Sequence, residues 1–201
     1  MAKLSKIAAR KDLGFFGVGL YDPKNSFNVG GSLRAVGAFK GGLFVVQGHR
    51  WEFKGNPWRH MDTEGAHLRL PTYLSVENLG SYTPYGAEIV GVELGEGAIS
   101  LVDFVHPKVA YYVFGPEDGA LPAEYCKTKV YIPTEYSLNL YTAVTTVCYD
   151  RTAKFLAMQD AALPDTVYGC PNCGSIHLNN SINQRGWMHC NACGTEFESP
   201  Q

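Results

Sequence analysis

The chain has 201 residues, of which 18% are charged and 45% hydrophobic, with a formal net charge of −2 at pH 7. That length suits one domain, or one domain plus a small module, with room for a real core. It holds no apolar run long enough to span a bilayer and no charged-then-apolar leader pattern, so membrane insertion is not expected and the default compartment is the cytosol. The net charge hides a division: Met1 to His60 carries ten Lys/Arg against three Asp/Glu, a balance of +7, and the remainder carries seven against sixteen, a balance of −9. Positive charge gathered in one segment suits a polyanion such as RNA, although a solvated surface would look the same.

In chain order, residues 1–13 form a basic arm in which Lys3, Lys6, Arg10 and Lys11 surround Leu4, Ile7 and Ala8. Gly14 to Tyr21 predicts a buried strand, ended by the turn Asp22-Pro23-Lys24-Asn25. Asn28 to Phe39 reads as a glycine-bearing loop entering a helix whose free N–H groups would suit an anion, with Arg34 six residues beyond Asn28. Leu43 to Gln47 predicts a second strand. It leads into a segment where Arg50, Trp51, Lys54, Trp58 and Arg59 mix aromatic and basic side chains, which suits stacking on unpaired nucleotides or, equally, a loop packing its tryptophans onto the domain. Thr72–Ser75, Glu88–Leu94 and Ile99–Phe104 are further β-like runs, with turns at Asn78–Gly86 and Gly95–Gly97.

Val109 to Phe114 is an aromatic and β-branched run that stops at Gly115, where backbone can approach a ligand. Lys129 to Ile132 repeats the pattern and stops at Pro133. Leu138, Ala143, Val144, Val147 and Phe155 then recur at helical spacing as far as Met158. Strands alternating with helices predict an α/β sheet, with two strand ends converging on one crevice. After a short linker at 161–167, Cys170 and Cys173, then Cys190 and Cys193, form two Cys-x-x-Cys pairs, each followed by glycine. Four thiolates so spaced predict a closed tetrahedral zinc site in a small ribbon at 168–198, structural because no position remains for water. Cys126 and Cys148 stand alone in apolar stretches as packed thiols.

Phe114–Pro122 (FGPEDGALP), Ile132–Leu140 (IPTEYSLNL) and Asn28–Phe39 (NVGGSLRAVGAF) resemble motifs two, three and one of the SpoU/TrmH class of SPOUT RNA ribose 2'-O-methyltransferases. The resemblance implies a methyltransferase domain over 14–160 with a deep trefoil knot made by the motif-two and motif-three segments, a homodimer, S-adenosylmethionine as cofactor and tRNA or rRNA as substrate. It implies that Gly115, Leu121, Ile132, Leu138 and Leu140 bound the cofactor, and that Glu117, Ser137 and Asn139 lie in or beside the active site with Asn28. It implies that Arg34 acts on the 2'-hydroxyl or its phosphate. Arginine's high pKa makes it a poor base, so clamping the phosphate is the more comfortable role. The sequence departs from the family pattern in two places. Only Thr134, Glu135 and Tyr136 separate Pro133 from Ser137, where a longer spacer is usual, and Tyr141 stands where a small residue is common. An RNA-binding or assembly protein that keeps the fold without methylating is the alternative reading.

Overall fold

The computed structural model describes residues 13–52, 58–161, 172–173, 178–179 and 187–198. The basic arm, Lys54 and Cys170 lie outside them. The chain divides into two compact units, Met1–Phe155 and Leu156–Gln201.

The first unit is built on a seven-stranded sheet of β1 (Phe15–Tyr21), β2 (Leu43–Gln47), β3 (Thr72–Val76), β4 (Glu88–Val92), β5 (Ile99–Ser100), β6 (Val109–Phe114) and β7 (Thr128–Tyr131). The spatial order is β3-β2-β1-β6-β4-β7-β5, and each neighbouring pair is parallel. Continuous apolar runs such as VAYYVF of β6, buried at all but its first residue, are what a strand covered on both faces needs. β6 enters between β1 and β4, and β7 then enters between β4 and β5. The chain thus returns twice into a sheet whose neighbouring strands come earlier in sequence, an order in keeping with the expected knot. The strand expected over Ile99–Phe104 is shorter than its pattern: Ile99 and Ser100 pair with Val130 and Tyr131, and the chain then turns. That turn at the sheet edge lets Leu101 and Phe104 bury in the core.

Among the described residues three helices accompany the sheet: α1 (Ser26–Ala38), the short α2 (Trp58–Met61) and α3 (Leu140–Ala161). Val29, Leu33 and Val36 of α1 and Val144, Val147 and Cys148 of α3 pack with Phe16, Val18, Tyr112 and Phe114 in the larger core. A smaller cluster of Val45, Leu79, Tyr111, Val113, Leu121 and Tyr125 covers the other face beneath two 3-10 turns, Leu79–Tyr82 and Ala123–Tyr125. Burial pushes the Cys148 thiol up to about 12, as suits a packed, inert cysteine.

The glycines of motif one do not form the expected loop. α1 begins at Ser26, capped by the Asn25 side chain, which accepts the Phe27 N–H at 2.8 Å. Gly30 and Gly31 therefore lie inside the helix. A Cβ on Gly31 would stand 2.9 Å from Cγ of Tyr141 and 3.0 Å from its Cβ, so the bare glycine is what lets the first turn of α3 close onto α1. The bulky Tyr141 is accommodated by that gap.

α3 starts two residues after its pattern, at Leu140, and continues past Met158 to Ala161. Two buried polar groups pin it. The Arg151 guanidinium donates to the carbonyls of Leu13, Phe15, Pro107 and Lys108 at 2.8–3.2 Å and lies over the rings of Phe16 and Phe155. His106, just before β6, is held between the Tyr112 hydroxyl at 2.6 Å and the Asp150 carboxylate at 2.8 Å, and Lys154 pairs with the same carboxylate at 2.9 Å. Burial pulls the His106 pKa below its ordinary value, with Asp150 offsetting part of the shift.

In the second unit β8 (Leu178–Asn179), β9 (Trp187–Cys190) and β10 (Glu196–Glu198) form an antiparallel sheet in the order β10-β9-β8. Gly194 takes a left-handed φ of 73° and closes the turn after Cys193, its N–H reaching the Cys190 carbonyl at 2.9 Å. No helix among the described residues is long and apolar enough to cross a membrane.

Candidate active site and cysteine centre

Because the strands are parallel, the loops after β4, β6 and β7 leave the sheet on one edge, and a cleft of about 270 Å³ opens among them. Val92, Glu93 and Leu94 come from the end of β4, Gly115, Pro116, Glu117 and Gly119 from the turn after β6, and Ile132, Thr134, Ser137, Leu138 and Leu140 from the segment joining β7 to α3. The convergence expected from the sequence is therefore present. Among the described lining residues the charged side chains are Glu93 and Glu117; no lysine, arginine or histidine lines the cleft. The short spacer is drawn tight by the Thr134 hydroxyl, which donates to the Tyr136 carbonyl at 2.8 Å. This leaves Tyr136 exposed.

Glu117 ties motif two to motif one. Its Oε1 accepts the Asn28 side-chain amide at 2.5 Å and its Oε2 accepts the Lys24 N–H at 2.8 Å. A carboxylate of the protein itself thus lies beside the entry to α1, on the Asn28 side chain and the Lys24 N–H. Next to it Asp118 accepts both 2.7 and 2.9 Å bonds from Nη2 of Arg50, whose Nη1 reaches Asp22 at 3.1 Å. The guanidinium holds the Asp118 carboxyl below its ordinary value, and the hydrogen bonds that Arg50 donates, to Asp118 first and then to Asp22, raise its own pKa. Lys24 lies 3.5 Å from the same Asp118.

Three expected site residues have partners of their own. The Leu121 side chain is buried in the smaller core cluster, and its N–H, beside Gly115, is taken by Oε2 of Glu93 at 3.0 Å. Asn139 caps α3, its side chain accepting the Tyr141 N–H at 3.2 Å and its carbonyl the Ala143 N–H at 2.9 Å. Arg34 is exposed on α1, bonded to the Thr63 hydroxyl at 2.7 Å, in a separate hollow with Lys40, Glu64 and Arg69. Of the residues expected to meet RNA, Trp51 is 6% exposed, with its indole N–H on the Gly48 carbonyl at 3.1 Å; it packs into the core and offers no stacking face. Arg50 is engaged by two carboxylates, and Arg59 is exposed on α2. Lys54 and the Trp58 side chain lie outside the described residues.

Glu93 is the residue that sequence reading missed. Its backbone N–H extends β4 against β7 by bonding the Val130 carbonyl at 3.0 Å, and its carboxylate accepts from Leu94 and Leu121. The available signal was its place at the end of a strand, directly before the turn at Gly95.

In the second unit the sulfurs of Cys173, Cys190 and Cys193 lie within 4.8 Å of one another. Cys173 and Cys190 are 3.7 Å apart. That gap is far too long for a disulfide and matches the roughly 3.8 Å edge of a tetrahedron of sulfurs set about 2.3 Å from a central ion.

No curated protein matches this sequence significantly. Solved structures of the same fold include the SpoU methyltransferase AviRb from Streptomyces viridochromogenes in complex with the cofactor AdoMet, 24% identical, with a TM-score of 0.60 over 78% of this chain and 63% of that one. This chain therefore spans less than two thirds of AviRb. A second is a protein described by the 2-OH methylation of C/U34 on tRNA, 22% identical, with a TM-score of 0.60 over 72% of this chain and 99% of that one. A third, the A. aeolicus TrmH/SpoU tRNA modifying enzyme, is 20% identical, with a TM-score of 0.60 over 78% and 81%. The model of the SpoU rRNA Methylase family matches residues 16–149, well over half of the chain, all of the seven-stranded sheet but Phe15 and every residue lining the cleft, and the chain belongs to that family.

Proposed function

We propose that the protein transfers a methyl group from S-adenosylmethionine to a ribose 2'-hydroxyl of tRNA or rRNA. The observation that carries this reading is the cleft, where the ends of three parallel strands and the two motif segments meet in a family whose members include a solved AdoMet complex. Bound there, the cofactor supplies an electrophilic methyl on a sulfonium. The chain's contribution is to bind, align and manage one proton, and alignment is worth several kcal/mol, up to about 7–11 in favourable cases. Gly115 leaves room for close approach, since a Cβ there would meet Glu93 at 3.1 Å and Leu121 N at 3.3 Å. Ile132, Leu138 and Leu140 supply apolar walls, Ser137 a hydroxyl, and Glu117 orients Asn28 and the turn after β6.

Arg34 acts from outside the cleft of its own chain. A homodimer that brings Arg34 of one chain to the cleft of the other accounts for this, with the guanidinium clamping the phosphate beside the reacting hydroxyl. The cysteine trio, completed by Cys170, holds one structural zinc, and elemental analysis showing well under one zinc per chain in protein purified without chelator would count against it. Mass spectrometry of nucleosides from tRNA and rRNA, with the gene present and deleted, should show one 2'-O-methylated nucleoside lost on deletion; unchanged nucleosides in both pools would favour the binding-protein alternative.

A further inference from the structure

We infer that Glu93 makes the cleft select its adenosyl ligand by charge, holding the sulfonium form and releasing the thioether form, so that methyl transfer itself loosens the product. This rests on the cofactor reading above. The first ground is the sign of the cleft: its charged described lining residues are two carboxylates. They are not equivalent. Glu117 has both oxygens directed to motif one, on Asn28 and Lys24. Glu93 is the one that faces Gly115.

The second ground is rigidity. Glu93 is fixed through its backbone to Val130, through Oε1 to the Leu94 N–H at 2.9 Å and through Oε2 to the Leu121 N–H at 3.0 Å. The two backbone N–H groups hold the carboxylate at the wall of the cleft. The third ground is access. Oε2 lies 3.1 Å from where a Cβ on Gly115 would stand, so the glycine leaves a carboxylate oxygen open to the space where strand-end ligands sit. Each of these oxygens accepts one backbone bond and keeps a lone pair for a ligand.

Methyl transfer breaks the bond from sulfur to the methyl carbon, leaving the electron pair on sulfur, while the ribose oxygen gains the carbon and gives up its proton, which passes to solvent water. The adenosyl ligand thereby loses one positive charge, and its amino-acid end is unchanged. One unit of charge within several ångströms of a fixed carboxylate, partly screened because the cleft is open, is worth about tenfold in affinity. The apolar and backbone contacts are blind to this difference. A charge-blind cleft would hold both forms alike and tend toward product inhibition.

The test is calorimetric titration of the full chain with S-adenosylmethionine, S-adenosylhomocysteine and an analogue carrying a protonated amine in place of the sulfonium. The wild type should bind both cationic ligands about tenfold tighter than the thioether, and raising salt to about 0.5 M should shrink that preference. Glu93→Gln keeps one of the two acceptors for the backbone and should cut the preference to about twofold, lowering the affinity for both cationic ligands more than that for the thioether. Equal binding of all three by the wild type, a preference that salt does not touch, or a variant that loses all three in proportion would each overturn the inference, the last by making Glu93 a scaffold residue only. If no adenosyl ligand binds the wild type, it is the cofactor reading that fails.

Discussion

Arg50 illustrates how a residue's surroundings redefine it. In sequence it belongs to a basic, aromatic segment suited to RNA; in the fold its guanidinium bridges Asp118 after β6 and Asp22 after β1. It is thereby a strap across the turn that lines the cleft. Because the pair is exposed, its worth is modest, and Arg50→Ala and Asp118→Asn should each weaken S-adenosylmethionine binding by no more than about fivefold. The double variant should lose less than the two singles combined, since both remove the Arg50–Asp118 pair while Asp22 and Lys24 are partners of one residue each. Losses that add, read by the same titration, would mean that the two residues act separately. Glu93 was illegible for the opposite reason, since a lone glutamate before a glycine turn reads as a solvated charge until Leu94 and Leu121 are seen to bond it. Arg34 and Asn28 were legible as motif residues, but their separation in space was not: Asn28 meets Glu117 and Arg34 meets Thr63.

At the scale of elements, the strands were readable because both faces of the sheet are covered and their runs are continuously apolar; β1, β2 and β6 begin and end within a residue of their patterns. The start of α1 was not, because a glycine pair signals a turn unless something packs on it. Tyr141 does, and this can be tested by a double-mutant cycle. Gly31→Ala alone should cost about 1–3 kcal/mol through the clash, less up to about 1 kcal/mol returned by helix propensity. In a Tyr141→Ala background the same change should stabilise by up to about 1 kcal/mol, measured by urea unfolding. A Gly31→Ala effect that is the same in both backgrounds would show that Tyr141 is not the obstacle. The pinning of α3 has its own pH dependence. Burial depresses the His106 pKa in the folded state, so its contribution to stability is complete above the unfolded value of about 6.5 and is lost as pH falls through the folded value. The melting temperature should therefore fall between pH 7 and pH 5, and His106→Gln, which cannot titrate, should flatten that slope. An equally steep slope in the variant would assign the acid sensitivity to carboxylates.

At the scale of the whole molecule, the sequence motifs located the cleft but not what completes it, because a chain carries no record of which copy each motif serves. Arg34 lies outside its own chain's cleft, and the proposed dimer, in which it would act on the other copy's cleft, can be tested by complementation. Mixing a chain bearing Arg34→Ala with one bearing Gly115→Trp, each inactive alone, should restore about a quarter of wild-type activity, because half the dimers are mixed and each of those has one intact site. No restoration after the chains have exchanged would place Arg34 in its own chain's chemistry or outside it altogether. The central claim is methyl transfer to ribose. The direct measurement is to incubate the purified protein with RNA from cells lacking it and S-adenosylmethionine deuterated at the methyl group, then digest the RNA and weigh its nucleosides. The account predicts a 2'-O-methyl nucleoside carrying the deuterated methyl, formed by the wild type and reduced about 10²- to 10⁴-fold by Arg34→Ala. RNA without label, or label found on a base and not on the ribose, would contradict it.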